Sequence, residues 1–288
     1  MSSLVSICIP TYNGEKYLNE ALESVKSQTY KNIEVIISDD SSTDSTLEIC
    51  NKFKNEVDFP VHIYSHKPSG IGANWNYTIE KANGDYIKFL FQDDVMESEC
   101  ILKMMFYLIN HNLEIVVCKR SIIDEDSNEI IDGDWYKNYG DLQKAAGIEV
   151  KDFFTISKKN LRKLDYHHYS KNNIIGEPCV SIFSKKLVKK IGLFNIHLKQ
   201  ILDYEYWLRV LVYYKIGIIE EKLMKFRFHS QQTSTINFLQ NVNEVSVITN
   251  HLFGKFLMYI DFKTAKHLLV QKYTLLKKIA LIRYKIFP

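Results

Sequence analysis

Two adjacent carboxylates, Asp93 and Asp94, follow the apolar residues 89–91 in the sequence FLFQDD. Neighbouring side chains on a strand point to opposite faces, whereas beyond the end of a strand both can turn toward one cation. Carboxylate oxygens are the ligands that hard divalent cations prefer. A solvated turn explains an isolated aspartate pair equally well, so the elements around the pair must decide between a metal site and a turn.

Polar residues also follow two earlier β-branched runs, 4–9 and 33–38. The carboxyl ends of parallel strands meet at one edge of an α/β sheet, and such sheets bind their ligands there. We therefore expect these residues to converge with the aspartate pair on one site. They are Pro10, Thr11, Tyr12 and Asn13 after the first run, and Asp39 and Asp40 after the second.

The first 120 residues alternate between strand-like and helix-like segments. This alternation predicts an α/β fold with a mostly parallel central sheet and helices on both faces. Neither a G-x-G-x-x-G pattern nor a Walker lysine follows the first strand, which argues against the usual dinucleotide and P-loop sites. The predicted strands are 4–9, 33–38, 61–65, 85–91 and 114–119, and the predicted helices are 14–28, 42–54, 71–82 and 99–111.

The composition is that of a globular protein, with 288 residues of which 46% are hydrophobic and 25% charged. A net charge of +3, without a basic stripe in the first two-thirds of the chain, argues against nucleic-acid binding. The five cysteines include no C-x-x-C pair, which favours buried free thiols over a zinc site. Because no signal peptide and no apolar run of about 18 residues is evident, we expect a cytoplasmic protein.

The segment VSICIPTYNGEKYLNEALESVKSQTYKNIEVIISDDSSTDST, taken together with FLFQDD, resembles glycosyltransferase family 2. Members of that family are inverting enzymes of the GT-A fold that use nucleotide sugars. The resemblance covers residues 4–120 and resumes at 174–192 and 202–235. It implies a GT-A fold, a Mn²⁺ or Mg²⁺ cofactor, a nucleotide-sugar donor and a protein of the bacterial surface-polysaccharide type.

The resemblance assigns donor-binding roles to the strand ends described above. Thr11 and Tyr12 match residues that line the nucleobase, with the tyrosine ring stacking on it. Asp39 matches the carboxylate that accepts a hydrogen bond from a uracil ring nitrogen, and Asp40 matches its neighbour near the ribose. A helix cap is the competing explanation for Asp39.

The resemblance also implies a metal ligand in the DXD element. Asp94 matches the direct ligand, and Asp93 lies nearer the sugar or the ribose. The family often carries Arg-Asn in the helix before the fourth strand, where this chain has Trp75 and Asn76. The missing arginine leaves the diphosphate to the metal and to a lysine, and puts the Asn76 contact in question.

Two elements of the second half carry the remaining site residues. LDYEYWLR (202–209) resembles the family element whose aspartate is the catalytic base, which implies Asp203 in that role. Leu202 replaces the usual glutamate, Glu205 is the reserve candidate, and a helix cap is the competing explanation for Asp203. KFRFHSQQTST (225–235) resembles an R-x-H element, which implies Arg227 at the diphosphate and His229 at the metal or the β-phosphate.

Residues 120–172 are rich in charged and aromatic residues and show poor periodicity. His167 and His168 lack helical spacing to a further ligand, which favours a solvated or acceptor-facing loop over a metal site. Residues 174–195 resemble the family's strand and turn that close the active site, with 176–178 in the loop.

These residues predict metal-dependent, inverting transfer of one sugar from a nucleotide-sugar donor to an acceptor hydroxyl. The acceptor class expected is a lipid-linked glycan in surface-polysaccharide (O-antigen or capsule) synthesis. Asp39 favours a UDP-sugar, although dTDP has the same ring nitrogen and GDP stays open. Two alternatives remain: an inactive nucleotide-sugar-binding module, and a sugar nucleotidyltransferase, which normally has a Gly-rich basic loop that PTYNGEKY lacks.

We expect a catalytic domain at 1–235, with a donor half (1–120) and an acceptor half (121–235), followed by a helical tail at 236–288. After Asp261 the tail carries seven basic residues and no acidic one. A basic amphipathic helix of this kind suits an anionic membrane surface, which predicts peripheral binding to the inner face of the cell membrane. The alternative is a helix packed on the domain with its lysines in water.

Overall fold

The computed structural model describes residues 2–163, 173–240 and 242–273. Its strands are β1 (Val5–Thr11), β2 (Ile33–Asp39), β3 (Val61–Ser65), β4 (Tyr86–Phe89), β5 (Val95–Met96), β6 (Ile115–Ile123), β7 (Glu129–Ile130), β8 (Phe153–Ile156), β9 (Ser181–Ser184) and β10 (Ile216–Arg227). Its α-helices are α1 (Leu18–Lys26), α2 (Thr46–Glu56), α3 (Ile71–Lys81), α4 (Cys100–Asn110), α5 (Asp134–Tyr139), α6 (Leu142–Ala145), α7 (Lys185–Ile191), α8 (Leu202–Tyr213), α9 (Thr233–Leu239), α10 (Val245–His251) and α11 (Phe262–Lys272).

The strands form one sheet in the order β3-β2-β1-β4-β9-β6-β10-β5, with β7 paired to β6 and β8 to β10. In the donor half, β1 is parallel to β2 and β4, and β2 is parallel to β3. Every residue of β1 and of β2 is buried. Continuous apolar strands covered on both faces are typical of parallel sheets with helical crossovers. This half agrees with the predicted fold class.

The sheet as a whole is mixed: beyond the donor half β10 is parallel to β6, and antiparallel strands join the parallel ones. Strand β9 enters from the second half of the chain and lies between β4 and β6, antiparallel to both. Because β9 runs opposite to β4, the residues just before β9 lie at the carboxyl end of β4. The turn at 176–178 is thereby brought to the edge of the sheet where Asp93 and Asp94 follow β4.

Helix α1 begins at Leu18, four residues later than predicted. The backbone N–H groups of Tyr17 and Leu18 both bond to the carbonyl of Gly14, which makes the preceding residues a turn. The buried face of α1 is the predicted apolar stripe, with Leu18, Leu22 and Val25 against the sheet. The spacing of apolar residues predicts the helix, and the turn at Gly14 determines where the helix begins.

The segment 120–163 contains more regular structure than its sequence indicated, because β6 continues to Ile123 and is followed by β7, α5, α6 and β8. These elements are short, between two and six residues, which explains why no period is visible. The five cysteines are all buried and free, as predicted. In the part of the chain that the structure describes, no helix is long and apolar enough to cross a bilayer.

The described part of the predicted tail packs on the sheet domain. Ile248, Leu252, Phe256 and Leu268 belong to the same buried cluster as the strands. His251 on α10 lies 3.1 Å from Glu205 on α8. The division of the chain at residue 235 stays a prediction, and residues 274–288 lie outside the described residues.

Candidate active site

The ends of β1 and β2 are joined by the side chains of Thr11 and Asp39. The Thr11 hydroxyl donates to Asp39 Oδ1 at 3.0 Å, and the Ser42 hydroxyl donates to the same oxygen at 2.5 Å. The Ser42 N–H donates to Oδ2 at 2.9 Å. Asp39 is fully buried, and the Ser42 hydroxyl and N–H occupy its two oxygens in this structure. It does not cap α2, whose N-cap residue is Ser45.

Asp40 holds the loop that leads into α3. Its Oδ1 accepts from the Ser69 N–H at 2.7 Å and the Ser69 hydroxyl at 3.1 Å. Its Oδ2 accepts from the Gly70 N–H at 3.0 Å, and His66 Nδ1 lies 3.4 Å from Oδ1. Asp40 is therefore a loop anchor at the position where the sequence predicted a ribose contact.

Tyr12 and Gln92 connect β1 to the aspartate pair. The Gln92 side chain accepts from the Tyr12 N–H at 2.8 Å and donates to the Tyr12 carbonyl at 3.1 Å. A Cβ atom at Gly14 would lie 2.4 Å from the Gln92 amide oxygen, so a larger residue there would displace the Gln92 side chain from Tyr12. The Tyr12 ring is 56% exposed and available for stacking.

Asn13 closes the same loop against the residues after β2. It adopts a φ of 46°, in the left-handed region that asparagine tolerates. Its side-chain oxygen accepts from the Thr43 N–H at 2.8 Å, and its own N–H donates to the Ser42 hydroxyl at 2.9 Å. Pro10, one residue inside β1, is buried.

Asn76 and Trp75, which occupy the family's Arg-Asn position, face the protein interior. The Asn76 amide donates to the Phe194 carbonyl and accepts from the Phe194 N–H, both at 2.9 Å. Trp75 stacks on Phe91 at 5.1 Å between ring centroids and is 7% exposed. Asn76 therefore holds the chain after α7, and this geometry gives no support to the predicted donor contact.

The aspartate pair is held by the end of β10. Arg227 donates its backbone N–H to Asp94 Oδ1 at 3.1 Å and its Nε–H to the Asp93 carbonyl at 2.9 Å. His229 Nε2 lies 3.0 Å from Asp93 Oδ2. The predicted metal residues Asp94 and His229 are thus brought together around Asp93.

Asp94 carries an unpartnered carboxylate oxygen. Oδ2 is buried and forms no hydrogen bond of normal geometry among the described residues, although the thiol of Cys179 interacts with the Asp94 carboxyl. Burial raises the pKa of the Asp94 carboxyl well above its usual value, and the neighbouring charge of Asp93 raises it further. A buried carboxylate without a partner is costly, and a bound cation would relieve that cost.

The Arg227 side chain, predicted at the diphosphate, is buried among protein groups in this structure. Its side chain is 1% exposed, and its guanidinium also donates to the Asp124 carbonyl at 2.9 Å, the Ser127 hydroxyl at 2.9 Å and Glu20 Oε2 at 2.5 Å. With these bonds and the one to Asp93, the side chain has no free path to a ligand in this conformation. It positions the aspartate pair instead.

Asp203 is the second residue of α8 and is held on both carboxylate oxygens. Oδ1 accepts from the Tyr204 N–H at 2.7 Å, and Oδ2 accepts from the Asn173 amide at 2.8 Å. Burial raises the pKa of Asp203 to about 7, with a further contribution from the charge of Glu177. A carboxyl with a pKa near neutrality is suited to take and release a proton. The N-cap residue of α8 is Ile201, so Asp203 does not cap the helix.

Glu205, the reserve candidate for the base, is already paired. Its carboxylate forms two hydrogen bonds with Arg209, at 2.8 and 3.0 Å, and lies 3.1 Å from His251. Although burial opposes them, these partners hold the pKa of Glu205 below its usual value. A carboxylate so paired is a weak base, which favours Asp203.

The described residues fit a cation that is completed by other ligands. Asp94 Oδ2 lacks a partner, and Asp93 and His229 add oxygen and imidazole donors of a kind that suits Mn²⁺ or Mg²⁺. Within residues 2–163, 173–240 and 242–273, no three His, Cys, Asp or Glu side chains are arranged to hold a metal ion by themselves. Such a site suits a cation that keeps waters and binds donor phosphates.

Sequence reasoning placed Gln92 at the end of the fourth strand but assigned it no role, and it missed Asn173 and Arg120. Asn173 and Arg120 act through contacts distant in sequence, at Asp203 and Glu177, and no local pattern marks them. His167 and His168, considered as metal ligands, lie outside the described residues.

The sequence matches a known family. Residues 6–192 match the family model described as glycosyl transferase family 2. An uncharacterized glycosyltransferase of Rickettsia typhi is 32% identical over 237 residues, 81% of this chain. The chain spans 66% of that relative, just under two thirds of its length. An uncharacterized glycosyltransferase of Haemophilus influenzae is 29% identical over 223 residues, 68% of this chain and 88% of the relative.

Solved structures agree on the fold. The crystal structure of S. aureus TarS 1–349 with UDP-GlcNAc has a TM-score of 0.64 at 18% identity, covering 93% of this chain and 70% of that chain. The UDP complex of the same protein has a TM-score of 0.63. The architecture is therefore that of the GT-A glycosyltransferases, as predicted.

Proposed function

This chain belongs to glycosyl transferase family 2, and we propose that it is a metal-dependent, inverting glycosyltransferase that moves one sugar from a UDP-sugar to an acceptor hydroxyl. The observation that carries the proposal is a pair of unusual carboxyls at one edge of the sheet. Asp94 has a buried unpartnered oxygen, and Asp203 has a pKa of about 7. The charge of Glu177 raises the pKa of both carboxyls.

The donor half supplies the nucleotide site. Tyr12 presents an exposed ring for stacking on the base, and Asp39 offers a carboxylate to a ring N–H once the Ser42 hydroxyl moves. UDP is the nucleotide found with TarS, and UDP-GlcNAc its donor complex. These features favour a uridine nucleotide.

Asp94, with Asp93 and His229, would hold a Mn²⁺ or Mg²⁺ ion at the donor diphosphate. When bound, the cation supplies charge neutralisation for the departing nucleotide. Arg227 fixes Asp93 and Asp94 from behind through its backbone and guanidinium N–H groups. The protein's own contribution is thus a pre-set pair of oxygen ligands.

Asp203 takes the proton from the acceptor hydroxyl as that oxygen attacks the anomeric carbon. Attack from the face opposite the leaving nucleotide inverts the anomeric configuration in one displacement. The Asn173 amide and the Tyr204 N–H leave one lone pair on each Asp203 oxygen for this proton.

The acceptor we propose is a lipid-linked glycan of surface-polysaccharide synthesis, reached at the inner face of the membrane. Large apolar side chains near the C-terminus are strongly exposed, Met258 at 73% and Phe262 at 84%. The exposed Lys263 and Lys266 follow Phe262 on α11. Apolar side chains among cations of one sign suit an anionic lipid surface.

Sedimentation with liposomes of phosphatidylglycerol at low salt tests the membrane contact. We expect wild type to pellet with the liposomes, and Phe262→Ser combined with Lys263→Gln and Lys266→Gln to stay in the supernatant. The matched control is Lys52→Gln with Lys54→Gln on the exposed face of α2, which removes equal charge and should pellet like wild type. Wild type remaining in the supernatant would point to a soluble acceptor.

A panel of nucleotide sugars, screened by thermal shift with and without Mn²⁺, tests the donor. We expect a UDP-sugar to raise Tm most, and only with Mn²⁺. The stabilised donor is then assayed for turnover, including slow hydrolysis without acceptor. Binding without turnover would favour an inactive binding module, and pyrophosphate release from UTP and a sugar 1-phosphate would favour a nucleotidyltransferase.

A further inference from the structure

The turn that precedes β9 is tied to α8 by side chains. Asn173 donates its amide N–H groups to the Gly176 carbonyl and to Asp203 Oδ2, both at 2.8 Å. Its side-chain oxygen accepts from the N–H groups of Ile175 and Gly176, both at 3.1 Å. Trp207 Nε1 donates to the same Gly176 carbonyl at 2.7 Å. One asparagine therefore connects the whole turn to the Asp203 carboxyl.

The turn contains a glycine, Gly176, at a position where the backbone and the close packing both favour glycine. Gly176 has a φ of +107°, which an L side chain rarely adopts, and a Cβ there would lie 2.9 Å from Val180 Cγ2. Glu177 directly follows this glycine. The bonds from Asn173 and Trp207 to the Gly176 carbonyl therefore hold the backbone of Glu177 close to a defined position relative to α8.

Glu177 is held from the other side by Arg120 on β6. Arg120 Nε lies 3.1 Å from Glu177 Oε2, and Arg120 Nη2 donates to Oε1 at 3.2 Å. The Arg120 side chain is 4% exposed and also donates to the Tyr139 carbonyl at 3.2 Å. One hydrogen bond to Oε1 and the charge of the guanidinium beside Oε2 hold the carboxylate, although Nε and Oε2 do not form a hydrogen bond with each other.

The other charged groups around Asp203 in the described structure are paired elsewhere. On α8, Glu205 and Arg209 bond to each other, and His251 from α10 lies against Glu205. From β6, Arg120 faces Glu177. Glu177 is the charged neighbour that acts on the Asp203 carboxyl, and Asn173 is the side-chain donor on it.

We infer that Asn173 and Glu177 are positioning residues that set the direction of the Asp203 carboxyl and how readily it takes a proton. The inference rests on the proposed role of Asp203 as the base. The two residues act in opposite senses. The Asn173 amide stabilises the carboxylate form, whereas the negative charge of Glu177 disfavours it. These opposing effects leave Asp203 able to take up and release a proton near neutral pH.

The test is the pH dependence of kcat for the best UDP-sugar in Mn²⁺, at saturating donor. Activity needs ionised Asp203, so turnover falls on the acid side of the profile. We expect Asn173→Ala to move this acid limb up by about one pH unit and Glu177→Gln to move it down by about half a unit or more. Asp58→Asn, which removes an exposed carboxylate of the donor half, should leave the limb in place.

Opposite shifts cannot arise from general damage to the turn. Limbs that stay in place, or that move in the same direction, would overturn the inference. If Asn173→Ala fails to fold, Glu177→Gln decides, because an unmoved limb in that variant is enough to reject the idea. Asp203→Asn separates the role of Asp203 as the base from the positioning role of Asn173 and Glu177. If Asp203→Asn retains turnover, both the base assignment and the inference fail. If it is inactive and the acid limbs of the Asn173 and Glu177 variants do not shift in opposite directions, the inference alone fails.

Discussion

The carboxylates at the end of β2 differ from those beyond β4 and at the start of α8. Asp39 and Asp40 each accept three hydrogen bonds from nearby N–H and O–H groups. Asp94 accepts from the Arg227 N–H and interacts with the Cys179 thiol, and Asp203 accepts from the Tyr204 N–H and the Asn173 amide, yet burial raises the pKa of both. Carboxylates rich in donors stabilise loops, and carboxylates poor in donors are left to bind a cation or a proton.

Among the carboxylates compared, replacing Asp203 has the largest expected effect on activity. We expect Asp203→Asn to lower turnover by about a hundredfold or more, because the amide cannot take the acceptor proton. The nucleotide affinity should stay within about twofold, since Asp203 lies outside the donor half. Steady-state kinetics with the best UDP-sugar measure the first quantity and calorimetry with UDP the second. Near-normal turnover would return the role of base to another carboxylate.

Asp94→Asn tests whether Asp94 binds the cation. The amide oxygen can still accept from the Arg227 N–H, so the fold should persist, but the unpartnered anionic oxygen becomes a neutral amide nitrogen. We expect UDP affinity in Mn²⁺ to fall at least about tenfold, because a neutral amide is a poor ligand for a hard cation. Affinity in EDTA should match wild type. An unchanged Mn²⁺ effect in calorimetry would reject Asp94 as a ligand.

Asp40→Asn tests whether a carboxylate with several hydrogen-bond donors stabilises the loop that leads into α3. An amide nitrogen cannot accept from the N–H groups of Ser69 and Gly70, so at least one of these part-buried hydrogen bonds to Asp40 is lost. We expect the free energy of unfolding to fall by about 1–3 kcal/mol. The exposed Asp58→Asn, also in the donor half, is the matched control and should be neutral in urea unfolding. Wild-type stability for Asp40→Asn would mean that its hydrogen bonds do not anchor the loop.

The sequence predicts the donor half better than the second half for a physical reason. Long apolar periods define β1, β2 and α1 locally, whereas β9 is four residues long and finds its place only through pairing with distant strands. The residue types at the site were predictable, and their partners were not. Arg227 matches a motif, but only its bonds to Asp93 and Glu20 reveal that it faces inward.

The central claim is that Asp203 is kept reactive at a cost in folding stability. The most direct test is to measure the free energy of unfolding as a function of pH. The folded pKa of Asp203 is about 7 and its ordinary value 3.8, so between these values the folded state holds a proton that the unfolded state lacks. Stability from this group therefore falls as pH rises through that window. The hydrogen bond that Asp203→Asn loses at Asn173 costs the same at every pH and cancels. Between pH 5 and pH 8, we expect the stability of Asp203→Asn to rise relative to wild type by up to about 2 kcal/mol in urea unfolding. A stability difference that does not change with pH, or that shrinks as pH rises, would contradict the account.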